Sequence, residues 1–80
     1  MSELIEELRR ASRLPAPPMR KTIRETAHAS QEQVAHALGV HRISVWRWEQ
    51  GRRTPRGVLR ERYAGLLEEL RKMVDDESPV

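Results

Sequence analysis

The 80-residue sequence has no cysteine and no phenylalanine, and it has only one tyrosine. Without cysteine there is neither a disulfide framework nor a thiolate metal site, so a reducing compartment suits this chain. No apolar run resembles a signal sequence or approaches the length that spans a membrane. Strand signals, internal repeats and low-complexity tracts are absent as well. We therefore expect a soluble, cytoplasmic, all-α protein.

The sequence also lacks the usual signs of catalysis. Eighty residues bury only a modest core, which argues against an enclosed enzyme pocket. No stretch matches a nucleophile elbow, a glycine loop that cradles phosphates or a pair of catalytic carboxylates. His28, His36 and His41 are too widely spaced to share one helix face. We expect no enzymatic activity, no metal and no cofactor.

Positive charge is concentrated in the middle of the chain. Residues 20–60 hold nine basic and three acidic side chains, a net charge of +6. Residues 61–80 carry a net charge of −3, and the charges of residues 1–19 cancel. A basic segment between neutral and acidic flanks is typical of a protein with a polyanionic partner.

Proline, glycine and capping residues divide the chain into segments. Ser2 can cap a first helix, and the prolines of LPAPP end it. Thr54 and Pro55 have the pattern of an N-cap followed by a first-turn proline, which predicts the start of a long last helix. The predicted segments are an amphipathic helix at 1–14, a proline-rich linker at 15–18, a core at 19–54, a long helix at 55–75 and a tail at 76–80.

Three short helices are predicted in and around the core. The first runs from Pro18 to about Ala29. The second begins at the capping box SQEQ, residues 30–33, and ends at Gly39. The third runs from about His41 to Gln50 and is followed by Gly51.

The second and third of these helices carry the most specific pattern. Two helices that cross steeply at a turn need a small residue at the contact, here Ala35, and a glycine in the turn, here Gly39. The stretch SQEQVAHALGVHRISVWRWEQGRRTP fills both positions and resembles the helix-turn-helix of the Cro and phage-repressor family, often called the Xre family. The resemblance covers about residues 19–65. The apolar residues that would lock the two helices are Val34, Leu38, Val40, Val45 and Trp48.

The resemblance implies a repressor-like fold and sequence-specific binding of double-stranded DNA, with residues 41–50 as the recognition helix. A transcriptional regulator of prokaryotic or phage origin is the leading interpretation. An accessory factor in site-specific recombination or an antitoxin is an alternative, and a helical protein-interaction module without DNA binding is another. The flanks depart from the family, because the first helix is extra and one long helix replaces two short ones.

Two tryptophans two residues apart cannot share one face of the recognition helix. At about 100° per residue, and with Val45 and Trp48 inward, Ile43 points farthest from the core. Arg47 can donate to both acceptors of guanine, whereas Ile43 and Trp46 can meet thymine methyls. A patch for a partner protein at Ile43 and Trp46 is the alternative, with Arg47 as a solvated charge. The predicted base contacts are Arg42, Ile43, Trp46, Arg47 and Gln50.

A second group of residues is predicted to contact phosphate. Gln31 resembles the family's phosphate-contacting glutamine, and helix N-termini favour anions. Its alternative role is to continue the cap, and His41 is a candidate for either function. The basic side chains of the group can also be merely solvated. The predicted phosphate contacts are Gln31, His41, Arg52, Arg53, Arg20 and Lys21.

Two further expectations concern assembly and stability. The resemblance implies an ion pair between Arg24 and Glu49 that joins the first and third core helices. A heptad-like series in the long helix predicts a homodimer through that helix, with the N-terminal helix as a further candidate contact. The same series can instead cover the domain's own core together with Leu4, Ile5 and Leu8. The residues of the series are Leu59, Tyr63, Leu66, Leu70 and Met73.

Overall fold

The computed structural model describes residues 2–6 and 13–77, with only the backbone of residue 77. The described part contains helices and no strand, so the predicted all-α class is confirmed. Residues 2–6 are helical, and the rest of the predicted helix at 1–14 lies largely outside the described residues, as do residues 78–80 of the tail. The four remaining helices are α1 (Pro17–Thr26), α2 (Gln31–Leu38), α3 (Arg42–Glu49) and α4 (Gly57–Glu77).

The ends of α2 are fixed by its own sequence. The Gln33 backbone N–H donates to Ser30 Oγ over 3.0 Å, and the Ser30 backbone N–H donates to Gln33 Oε1 over 2.8 Å. This reciprocal capping box was predicted and is present. Gly39 ends the helix with φ of 70°, a left-handed conformation that glycine adopts without steric cost. The direction in which the chain enters α3 is thereby set.

The ends of α1 and α4 differ from the predicted ones. α1 begins at Pro17, so two residues of the predicted linker belong to the helix. It ends at Thr26 because the chain leaves the helical conformation there and His28 has φ of 58°. The predicted start of the last helix at Thr54 and Pro55 was wrong. Gly57 has φ of 61° and opens α4 instead, and the helix continues into the predicted tail.

The core lies where the four helices meet, and it is built around two aromatic rings. The centroids of the Trp48 and Tyr63 rings are 4.7 Å apart, with the planes inclined by 44°. This packing joins α3 to α4, so the orientation of α3 depends on the long helix. The buried apolar residues are Leu14, Ile23, Val34, Ala35, Leu38, Val45, Trp48, Tyr63, Ala64 and Leu67.

The position of Tyr63 predicts a loss of stability at alkaline pH. Burial raises the pKa of Tyr63 to about 12, above its ordinary value of 10.0. The unfolded chain therefore loses the phenolic proton first, and the stability that this group contributes falls as the pH rises from 10 through 12. The Tyr63 hydroxyl is buried without a hydrogen bond to any residue that the structure describes, so Tyr63→Phe should cost little at neutral pH.

Denaturant unfolding of the parent and Tyr63→Phe at several pH values tests this expectation. The phenylalanine variant controls for every other pH-dependent contribution to stability, because the two proteins differ only in the Tyr63 hydroxyl. Above pH 10, the free energy of unfolding of Tyr63→Phe should rise relative to that of the parent. A constant difference between the two proteins across that range would contradict the assignment.

Candidate nucleic-acid interface

The helix-turn-helix unit consists of α2, the turn at Gly39 and α3. Val45 is fully buried and Trp48 is 5% exposed, which fixes the inner side of α3 against the core. Ile43, at 42% exposure, lies on the opposite side together with exposed Arg47 and Gln50. Neither Arg47 nor Gln50 forms a side-chain hydrogen bond with another described residue. The inward side predicted for α3, and the outward positions predicted for Ile43, Arg47 and Gln50, are therefore the observed ones.

Trp46 is half-buried, so it is less exposed than its predicted contact with bases requires. The Arg52 Cζ atom lies 5.3 Å from the centroid of its ring, a cation–π contact. The Arg52 backbone N–H also donates to the Arg47 carbonyl over 3.0 Å. The loop after α3 is thus held against the last turn of the helix.

This loop and the start of α4 form an arginine-rich surface, which we call the basic loop. It is lined by residues 51–56 and Arg60, and none of the described residues that line it is acidic. Arg52 and Arg53 were predicted to contact phosphate, whereas Arg56 and Arg60 were not. Their place beside the other two depends on Gly57, which turns the chain back into α4. Only the excess of basic residues at 20–60 pointed to them in the sequence.

A buried ion pair connects α1 with the end of α3. Arg24 Nε lies 2.6 Å from Glu49 Oε2, and Arg24 Nη2 lies 3.0 Å from Oε1. The exposed fractions of the two side chains are 11% and 1%. The hydrogen bond to Glu49 is the main cause that raises the pKa of the Arg24 guanidinium. The two residues lie as the resemblance implied.

Gln31 and Arg42 extend this pair toward the surface. Gln31 Nε2 donates to Glu49 Oε1 over 3.1 Å, and Gln31 Oε1 accepts from Arg42 Nη1 over 3.1 Å. A phosphate contact from Gln31 stays a prediction, and it would compete with these two bonds. These two hydrogen bonds were not predicted from the sequence, because together with the Arg24–Glu49 pair they connect three different helices.

The prediction that Arg20 contacts phosphate was wrong. Arg20 is 5% exposed, and its Nε donates to the Pro15 carbonyl over 2.7 Å. Its Nη1 donates to the Trp48 carbonyl over 3.1 Å. Desolvation is the main cause that lowers the pKa of this guanidinium. Arg20 therefore ties the proline segment to the end of α3.

The remaining predicted phosphate contacts are accessible. Lys21 follows Arg20 on α1 and is exposed, as is Arg53 in the basic loop. His41 occupies the N-cap position of α3, but its side chain makes no capping hydrogen bond. The alternative in which His41 caps α3 therefore has no support in this arrangement.

The predicted dimer series on α4 is divided between the core and the surface. Tyr63 is 1% exposed against Trp48, so the prediction that it contacts a second copy was wrong. Leu59, Leu66 and Leu70 are half-buried against the core. Met73 is 42% exposed. Leu4 and Ile5 are exposed, at 53% and 47%, so neither is buried in the core, and Leu8 lies outside the described residues.

Residues 21–72 match the protein family described as "Helix-turn-helix domain". The match includes all of α2 and α3 and covers more than half of the chain, so the chain belongs to this family. Membership supports DNA as the binding partner and agrees with the resemblance of about residues 19–65 to the phage repressors. Families of this kind are typically non-enzymatic.

Comparison with curated proteins and with solved structures gave no match. Within the described ranges, no helix has both the length and the apolar character needed to cross a membrane.

Proposed function

We propose that the protein is a transcriptional regulator that binds a specific duplex sequence by placing α3 in the major groove. The observation that carries this proposal is the orientation of α3. Val45 and Trp48 anchor one side of the helix in the core, and Ile43, Arg47 and Gln50 stand on the other. The major groove admits an α-helix, and its base edges differ in donors, acceptors and methyl groups.

Two sets of side chains have different roles in this proposal. Arg42, Ile43, Trp46, Arg47 and Gln50 face the bases, with Trp46 contributing only its accessible edge. Lys21, His41, Arg52 and Arg53 contact phosphates, and the lysine and the two arginines neutralise phosphate charge. The basic loop supplies most of this charge beside the last turn of α3, where a DNA strand that flanks the groove would pass.

Replacing Arg53 with alanine tests the phosphate role. The change should weaken binding to every duplex sequence by a similar factor, because a phosphate contact carries no base information. It should also reduce the slope of log affinity against log salt by about 0.9, the counterion release of one phosphate contact. Duplex binding at several salt concentrations measures both effects.

Arg71→Ala provides the matched control for Arg53→Ala. Arg71 is exposed like Arg53, but it lies in the groove between α1 and the C-terminal half of α4. Arg71→Ala changes the net charge by the same amount as Arg53→Ala, but it should retain most of the slope of log affinity against log salt. Equal slopes for the two variants would contradict a phosphate contact at Arg53.

The proposal includes a homodimer that binds two half-sites. One module of this size covers few base pairs, and helix-turn-helix proteins bind paired half-sites as dimers. Met73, with half-buried Leu66 and Leu70 on the preceding turns of α4, provides the apolar surface. This surface is smaller than the predicted series, because Tyr63 belongs to the core.

Sedimentation of the full chain tests the dimer. The parent should sediment as a dimer on its DNA site, and Met73→Asp should shift the equilibrium toward the monomer by placing a charge in the apolar contact. Met19→Asp is the control, since Met19 is a 52% exposed methionine on α1. A monomeric parent both free and on DNA would contradict the dimer.

A further inference from the structure

We infer that Trp46 is a positioning residue, whose indole ring holds the guanidinium of Arg52 in place for its contact with phosphate. The inference rests on the proposed function, because the phosphate contact of Arg52 belongs to that proposal. It gives the ring of Trp46 a role within the protein that does not depend on the base sequence of the bound DNA.

The way in which α3 ends brings Arg52 back to Trp46. Gly51 follows the helix with φ of 73°, a left-handed conformation. The Arg52 backbone N–H then donates to the Arg47 carbonyl over 3.0 Å, and the Gly51 N–H donates to the Trp48 carbonyl over 3.4 Å. These two bonds define a Schellman motif, in which the second residue after the C-cap lies beside the side chains of the last turns of the helix.

The side-chain contact that frequently accompanies this motif joins two apolar residues, but here it joins a cation to an aromatic ring. Arg52 Cζ lies 5.3 Å from the centroid of the Trp46 ring, within the range of a cation–π interaction. Trp46 is half-buried, so packing limits the rotation of its ring. Arg52 is exposed, and a free arginine side chain samples many rotamers. The ring therefore restricts a side chain that would otherwise be mobile.

The contact with Trp46 leaves the hydrogen-bond donors of Arg52 available. An indole ring attracts the charge of the guanidinium, but it offers no hydrogen-bond acceptor. The Arg52 side chain forms no hydrogen bond with another described residue, and no acidic residue is among those that line the basic loop. The guanidinium thus keeps both its charge and its N–H groups for phosphate. Because its position is already restricted, less side-chain freedom is lost when DNA binds.

Arg53 provides a matched comparison within the basic loop. It is exposed like Arg52, and it is also proposed to contact phosphate. It makes no cation–π contact with an aromatic ring among the described residues. Loss of the Trp46 ring should therefore reduce the contribution of Arg52 to DNA binding and leave the contribution of Arg53 unchanged.

The experiment measures binding to a scrambled duplex, on which contacts with particular bases contribute little. It introduces Trp46→Leu into the parent, into Arg52→Ala and into Arg53→Ala. Leucine keeps an apolar side chain at the half-buried position and removes the ring. Trp46→Leu should weaken binding about two- to tenfold in the parent and in Arg53→Ala, because the ordering of one long side chain then costs free energy on binding. It should have no effect in Arg52→Ala.

Trp46→Phe separates the role of the ring from a general effect of substitution at this position. Phenylalanine keeps an aromatic face, so this variant should bind the scrambled duplex more tightly than Trp46→Leu does. Equal affinities of the two variants would overturn the inference. An equal loss from Trp46→Leu in Arg52→Ala and in Arg53→Ala would overturn it as well, and so would an affinity of the parent that Trp46→Leu leaves unchanged.

Nuclear magnetic resonance of the free protein tests the contact without DNA. Protons that lie over the face of an indole ring resonate upfield, so the side-chain protons of Arg52 should lie upfield of those of Arg53. Trp46→Leu should remove this difference, and equal shifts in the parent would overturn the inference. Upfield Arg52 protons in a protein that binds no duplex would support the contact between Trp46 and Arg52, but they would refute both the proposed function and the positioning role.

Discussion

Arg24→Ala is expected to lower the free energy of unfolding by about 3 to 5 kcal/mol. The variant leaves the Glu49 carboxylate, whose side chain is 1% exposed, without its charged partner. Among the described residues, only the neutral amide of Gln31 would still donate to it, and one such bond does not offset the desolvation of a charge. Since a small domain has few kcal/mol of stability in total, much of the variant would be unfolded.

Urea or thermal unfolding of the full chain measures this effect. Lys21→Ala is the matched control, because Lys21 is an exposed cation on the same helix, and it should change stability by no more than about 0.5 kcal/mol. Adding Glu49→Gln to Arg24→Ala should recover part of the loss, because it removes the stranded charge. An Arg24→Ala protein as stable as Lys21→Ala would show that the pair contributes little.

Arg47→Ala is expected to weaken binding to the preferred duplex by about 1 to 3 kcal/mol and to relax the preference at one base pair. Arg47 is exposed on the outer side of α3 and makes no side-chain hydrogen bond with another described residue, so its guanidinium is available to a base edge. Little stability should be lost, because the residue supports no neighbour in the core. The effect therefore belongs to recognition.

Duplexes with modified guanine locate the atom that Arg47 reads. Replacing the N7 atom of guanine by carbon removes one of the two acceptors in the major groove. The parent should bind less tightly to the duplex that is modified at the base pair whose preference Arg47→Ala relaxes. Arg47→Ala should bind the modified and the unmodified duplex with equal affinity. If Arg47→Ala lowered affinity for the preferred and the scrambled duplex alike, Arg47 would be a phosphate contact.

Features set by neighbours in the chain were predictable from the sequence. The capping box of α2 and the glycine that ends it need only residues 30–39, and both were predicted. The two sides of α3 followed from helical periodicity once Val45 and Trp48 were placed inward. The Arg24–Glu49 pair came from the family resemblance, because no local pattern relates residues that far apart.

Predictions failed where tertiary contacts decide between two uses of one residue. Arg20 was predicted to be a basic side chain on the surface. Its guanidinium instead donates to the carbonyls of Pro15 and Trp48, which the fold brings together. Tyr63 fits a heptad-like seam, but its ring packs against Trp48 in the domain's own core. Gly57 overrides the capping signal of Thr54 and Pro55, because its left-handed conformation delays the start of α4.

The central claim is that α3 reads the base edges of a duplex while the surrounding basic residues hold its phosphates. The most direct test selects bound sites from random DNA with the full chain. The affinity for the selected site and for a scrambled duplex is then measured at two salt concentrations. We predict tighter binding to the selected site, with both affinities falling steeply as salt increases. Failure to enrich any sequence, with weak binding to duplex DNA that does not respond to salt, would contradict the claim and favour a protein partner for Ile43 and Trp46.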